Sequence, residues 1–102
     1  MSADVNPERE ALRVLAERGW CKGRLESSDG RRCLVGAAAA GVVGHQIDWM
    51  EVLGNIRAVA QEQFPERRAV GVVDFNDHPD TTLEDVIAVL EKAAIRRSEA
   101  VT

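Results

Sequence analysis

Several features are missing from this 102-residue chain, and each absence narrows the reading. It opens on MSADVNPERE, without the basic stretch and apolar core of a secretory signal, and it has only two cysteines. A reducing cytoplasm is therefore the expected location. The longest apolar run, Leu34 to Val43, is about half of what a membrane span needs and is diluted by glycine, so no membrane contact is expected. Positive charge is not in excess: 13 basic and 17 acidic residues leave a net charge of −4, which argues against a nucleic-acid partner. The arginine pairs Arg31-Arg32, Arg67-Arg68 and Arg96-Arg97 sit near acidic neighbours and read as solvated faces. Neither GxGxxG nor a GK[ST] ending occurs, so the glycines do not form a phosphate cradle. No residues have the spacing of a known metal site, and no cofactor is expected. There is no internal repeat and no low-complexity linker. At 45% hydrophobic and 29% charged residues, the chain has the composition of one ordinary globular domain spanning 1–102.

What is present reads as a mainly α (α+β) domain: four helices, with a β-hairpin between helix 1 and helix 2. Asn6-Pro7 opens the first helix, with Glu8 and Glu10 at its positive end and an apolar face of Ala11, Leu12, Leu15 and Ala16. Gly19 ends it near residue 18. Asp29-Gly30 then marks a turn between Lys22–Glu26 and Arg31–Val35, and a two-residue loop would place Leu25 opposite Leu34 and Glu26 opposite Cys33. In such a hairpin Cys21 and Cys33 lie too far apart to bridge, which predicts two free thiols. Val35, Ala38, Ala39, Val42 and Val43 repeat at helical spacing, and Gly36 and Gly41 leave a bare surface for a close neighbour. Asp48 and Glu51 form a capping-box pattern for a helix over 49–63, with a stripe from Trp49 to Phe64 and Pro65 as its stop. Val70–Phe75 reads as extended. Thr81 and Thr82, followed by Glu84 and Asp85, open a last helix over about 82–97, with Leu83, Val86, Ile87, Leu90, Ala93 and Ala94 inward.

Three motifs in this order also resemble a family of small actinobacterial and actinophage proteins classed as a domain of unknown function. They are Gly19, Trp20 and Gly23; then Gly30, Arg31, Cys33, Leu34, Gly36 and Ala37; then Phe75, Asn76, Asp77, Pro79 and Thr81. Many members carry tryptophan where this chain has Phe75. The resemblance covers most of the chain and implies a small, mostly helical domain, with no activity attached.

Two groups of residues could carry chemistry. Asn76, Asp77 and His78, with Asp74, could donate to a ligand or metal before the last helix; the alternative is a turn whose side chains cap backbone groups. Cys33 could be a nucleophile with His45 or His78 as base and Asp77 or Asn76 nearby, although a buried cysteine at such a junction also packs as a small hydrophobe. Trp20 and Trp49, the only indoles in a chain without tyrosine, read as core edges, and Trp20 is also a binding candidate. With no site chemistry in the sequence and apolar faces to spare, the expectation is a small non-enzymatic protein that acts through contact with a protein partner or a second copy of itself. The alternative is a small enzyme or ligand-binding domain using Cys33 and the Asn76-Asp77-His78 loop.

Overall fold

The computed structural model describes residues 6–44, 46–67 and 71–100. Among these residues five helices follow one another: α1 (Pro7–Arg18), α2 (Leu34–Val42), α3 (Trp49–Gln63), α4 (Val72–Asp77) and α5 (Leu83–Ala100), with a 3-10 turn at Pro65–Arg67. The helix starts are chemical. The Asn6 side chain accepts from the Arg9 N–H with proline in the first turn, and the Asp48 side chain accepts from the Met50 N–H. At α5 the box closes in both directions: Asp85 N–H donates to Thr82 Oγ1 (3.3 Å) and Thr82 N–H to Asp85 Oδ2 (3.1 Å). Gly19 ends α1 at φ 88°, with its N–H on the Leu15 carbonyl.

α2 packs against α1, α3 and α4, while α5 lies against α1 and α3, and the buried side chains form one core through Ala11, Leu15, Leu34, Ala38, Ile56, Val59, Phe75, Val86 and Leu90. α2 is the close-packed element. A Cβ at Gly36 would lie 2.3 Å from the Leu25 carbonyl oxygen, and one at Gly41 would lie 2.6 Å from that of Pro7. Both glycines are there because another backbone occupies the space. This shifts the buried face of α2 to Leu34, Ala37, Ala38 and Gly41, and turns Val43 outward where periodicity placed it inward.

The β-hairpin expected between the first two helices does not form; the described residues contain no strand. The turn at Ser27–Gly30 is made, with the Gly30 N–H on the Ser27 carbonyl, but only an isolated antiparallel bridge, Glu26 to Arg32, follows it. That register is one residue off the expected one, so Leu25 is 59% exposed and does not face Leu34. The physical reason is that Arg32 is paired on both edges: the Arg31 carbonyl and Cys33 N–H bond to Ser27 and Leu25 on one side, leaving Arg32's own groups for the other. The Arg32 N–H donates to the Gly19 carbonyl and its carbonyl accepts from the Cys21 N–H, a parallel bridge to Trp20 that occupies the other edge. Residues 22–25 must bend sharply to bring both partners to one short segment, and a bend cannot be a strand.

The second correction concerns residues 71–77. Val72–Phe75 was expected to be extended and is the core of α4, because Val72, Phe75 and Asn76 fall at i, i+3 and i+4 and all three are buried. Val70 and Arg68 lie outside the described residues. Two arginines read as solvated are partly buried instead. Arg67 donates to Asp85 (2.7 Å) and Thr81 (3.0 Å) and lies over the Phe64 ring. Arg97 reaches the fully buried Glu8 at 2.6 and 3.0 Å, and Asn55 donates both to Glu8 and to the Ala93 carbonyl. That network ties α1, α3 and α5 together.

Candidate functional site

The polar residues singled out in sequence converge, but on the chain's own backbone. Asn76 is 1% exposed and satisfies all of its side-chain capacity internally. Its Oδ1 accepts from the Trp20 indole N–H (2.6 Å) and the Leu34 N–H (3.0 Å), and its Nδ2 donates to the Cys21 carbonyl (3.2 Å) and Asp77 Oδ1 (2.9 Å). The same Asp77 oxygen accepts from the Gly23 N–H at 2.9 Å. Lys22 Nζ donates to the His78 carbonyl (2.7 Å) and lies 5.4 Å from the Trp20 ring centre. His78 turns its Nδ1 to the Asp80 N–H (3.0 Å). The caps run to residues 20–23 and to the first turn of α2. The sequence reading sent them forward to the last helix, whose start Thr82 and Asp85 serve.

Cys33 is the N-cap of α2: its Sγ accepts from the Gly36 N–H at 3.3 Å. Cys21, also buried, donates its thiol to the Arg24 and Arg31 carbonyls. Burial pushes the Cys21 thiol up, with the neighbouring Cys33 adding to the effect. Both thiols are free, as expected; the register argument behind that expectation falls with the hairpin. His45, the other base considered for Cys33, lies outside the described residues. Among those residues, no three His, Cys, Asp or Glu side chains are placed to hold a metal ion, and no helix is long and apolar enough to cross a membrane.

A different region presents open space. Between α3 and α4 lies an apolar cleft of about 330 Å³. Val35, Leu53 and Val72 line its inner part, Met50 and Val73 stand beside it at 70% and 51% exposure, and Arg57 supplies its one charge. None of Trp20, Cys33, Asn76, Asp77 and His78 lines it. Gly54 and Gly71 do, and a Cβ at either would meet nothing within 4 Å. Gly54 stands in the middle of α3, where glycine costs about 1 kcal/mol against alanine. At Gly36 and Gly41 a neighbouring backbone accounts for that cost; at Gly54 nothing within the described chain does. Arg57 makes no hydrogen bond or ion pair among the described residues. The sequence reading passed over this cleft because Met50, Gly54 and Arg57 fall on the outward face of α3, which periodicity alone labels solvent.

These features define a small, mainly helical domain with a braced loop and an open apolar cleft. A model for a family of unknown function, DUF6197, matches residues 9–96, and the chain belongs to that family. No curated protein and no solved structure matches it.

Proposed function

We propose that this is a small, cytoplasmic, non-enzymatic protein that works by protein–protein contact, with the α3–α4 cleft as its docking surface. The observation that carries the reading is Gly54: a mid-helix glycine with open space above it, at the centre of an apolar cleft flanked by exposed Met50 and Val73. An interface of this kind favours apolar anchors at its centre and charge at its rim. Arg57, without a partner among the described residues, gives the occupant its chemistry, a partner segment that inserts an apolar side chain over Gly54 and offers a carboxylate to the guanidinium. On the same reading Trp20, Asn76, Asp77 and His78 are the brace that holds the loop to α4, and Cys33 is a helix cap, so none of them does chemistry on a substrate. The three motifs of the sequence mark this brace and its attachment to α2, and they point to an actinobacterial or actinophage source.

The test is affinity capture from the native host with three baits: the wild type, Gly54→Leu and Arg57→Glu. Gly54→Leu fills the cleft without touching the core. A protein held by the wild type, released by both variants and weakened by salt supports the reading. A protein held equally by all three places the contact elsewhere. Loss of capture together with loss of a concentration-dependent dimer in light scattering would identify the occupant as a second copy of the chain and overturn the acidic-partner assignment.

A further inference from the structure

The two cysteines, separated by eleven residues of loop, are brought to neighbouring register positions by the parallel bridge between Trp20 and Arg32. The Arg32 N–H donates to the Gly19 carbonyl at 3.0 Å and the Cys21 N–H donates to the Arg32 carbonyl at 3.1 Å, which pairs Trp20 with Arg32 in parallel. In a parallel pair both segments advance together, so Cys21 and Cys33 occupy the next register position. Side chains alternate along extended backbone, so both cysteines leave on the face opposite Trp20 and Arg32. Paired segments lie about 4.8 Å apart, inside the roughly 4.4–6.8 Å range of Cα separations that a disulfide tolerates. Both residues are buried, at 8% and 4% exposure, with neither sulfur held by a strong partner. Cys33 Sγ accepts from the Gly36 N–H, which a disulfide sulfur can go on doing, and Cys21 gives up only two thiol contacts of 3.4 Å.

We propose that Cys21 and Cys33 form a closable dithiol, a site of oxidative modification that reacts with small-molecule disulfides of the glutathione class and locks the loop to the first turn of α2. One cysteine thiolate attacks the small disulfide, forming a mixed disulfide and releasing one small thiolate. The second cysteine thiolate attacks the protein-side sulfur, forming the Cys21–Cys33 bond and releasing the other. Two protein thiols are oxidised, one small disulfide is reduced to two thiols, and the two cysteine protons end on those thiols. The exposed Lys22–Glu26 segment covers Cys21 and is the part that opens to admit the reagent.

The test equilibrates the full chain in reduced and oxidised glutathione, natively and in denaturant, followed by acid trapping and intact mass. Equilibrium is approached from both sides, starting from the reduced chain and from chain oxidised before refolding. The expected native product has lost both thiols and two hydrogens and carries no glutathione. The effective concentration of the pair should be at least about tenfold higher natively than in denaturant, where a flexible loop of this length gives values in the millimolar range. A native value at or below the denatured one, or native chain carrying glutathione on both cysteines, overturns the proposal.

Discussion

Replacing Asn76 with alanine tests the brace most directly. The substitution removes the acceptor of the Trp20 indole N–H and the Leu34 N–H, and the donor to the Cys21 carbonyl. The Leu34 N–H belongs to the first turn of α2 and has no carbonyl of its own helix to bond. Each buried group left unpaired costs about 1–3 kcal/mol, and Trp20, being only half-buried, can recover part of its share from water. The sum is about 3–6 kcal/mol, a large part of the 5–15 kcal/mol that holds a domain of this size. Urea unfolding read by tryptophan fluorescence and by far-ultraviolet circular dichroism should show a much lower midpoint with an unchanged slope. Asn76→Asp refines the test. It keeps the shape and the acceptor, but turns a carboxylate onto the Cys21 carbonyl and Asp77, so it should be destabilised at neutral pH and partly recover in mild acid. A loss below about 1 kcal/mol for Asn76→Ala, or an Asn76→Asp as stable as the wild type at neutral pH, would refute the assignment of Asn76 as the bolt between the loop, α2 and α4.

The helical glycines give a paired prediction: Gly36→Ala should destabilise the domain, through a Cβ driven to 2.3 Å from the Leu25 carbonyl, whereas Gly54→Ala should stabilise it by about 0.5–1 kcal/mol in thermal melts. Arg97→Met should lose about 3–5 kcal/mol by leaving Glu8 charged and buried without its partner, and the double variant Glu8→Leu/Arg97→Met should recover much of that loss in chemical denaturation. Burial works against the Asp85 carboxylate, but the hydrogen bonds from Arg67 and Thr82 and the charge of Arg67 outweigh it and hold its pKa below the ordinary 3.8. Its contribution is therefore full above that value and is lost as pH falls through the lower folded pKa. Acid titration of stability should show this loss in the wild type and a shallower one in Asp85→Asn. Asp77→Ala should lower the melting temperature modestly, through the lost Gly23 contact, and chelator should leave the wild-type melt unchanged.

The helices were legible because their signals are local. Asn6-Pro7, Asp48, Thr82 with Asp85, Gly19 and Pro65 act within a turn or two of where they stand, so α1 and α3 fall at the residues the sequence indicated and α5 runs only slightly longer. The need for glycine at Gly36 and Gly41 was legible too, since the cost of glycine in a helix has to be offset by something; that the something is the carbonyls of Leu25 and Pro7 was not. The failures came wherever a residue's partner is distant in sequence. Asp29-Gly30 does make its turn, yet whether strands follow depended on residues 31–33, which pair with Gly19 and Cys21 on one edge and with Leu25 and Ser27 on the other. Val72 and Val73 look β-branched and extended by propensity, but the burial of Phe75 against Phe64 and of Asn76 against Trp20 and Leu34 favours one and a half turns of helix. Charged residues were the hardest to place. Nothing around Glu8 in the sequence distinguishes it from Glu10, and only the approach of Arg97, eighty-nine residues away, makes one a buried anchor and the other a surface charge. Local backbone chemistry thus determined where α1, α3 and α5 lie, while the tertiary structure alone decided that residues 72–77 are helical, what each polar side chain bonds to, which face of α2 is buried and where a cleft stays open, because those depend on distances between segments that no local pattern encodes.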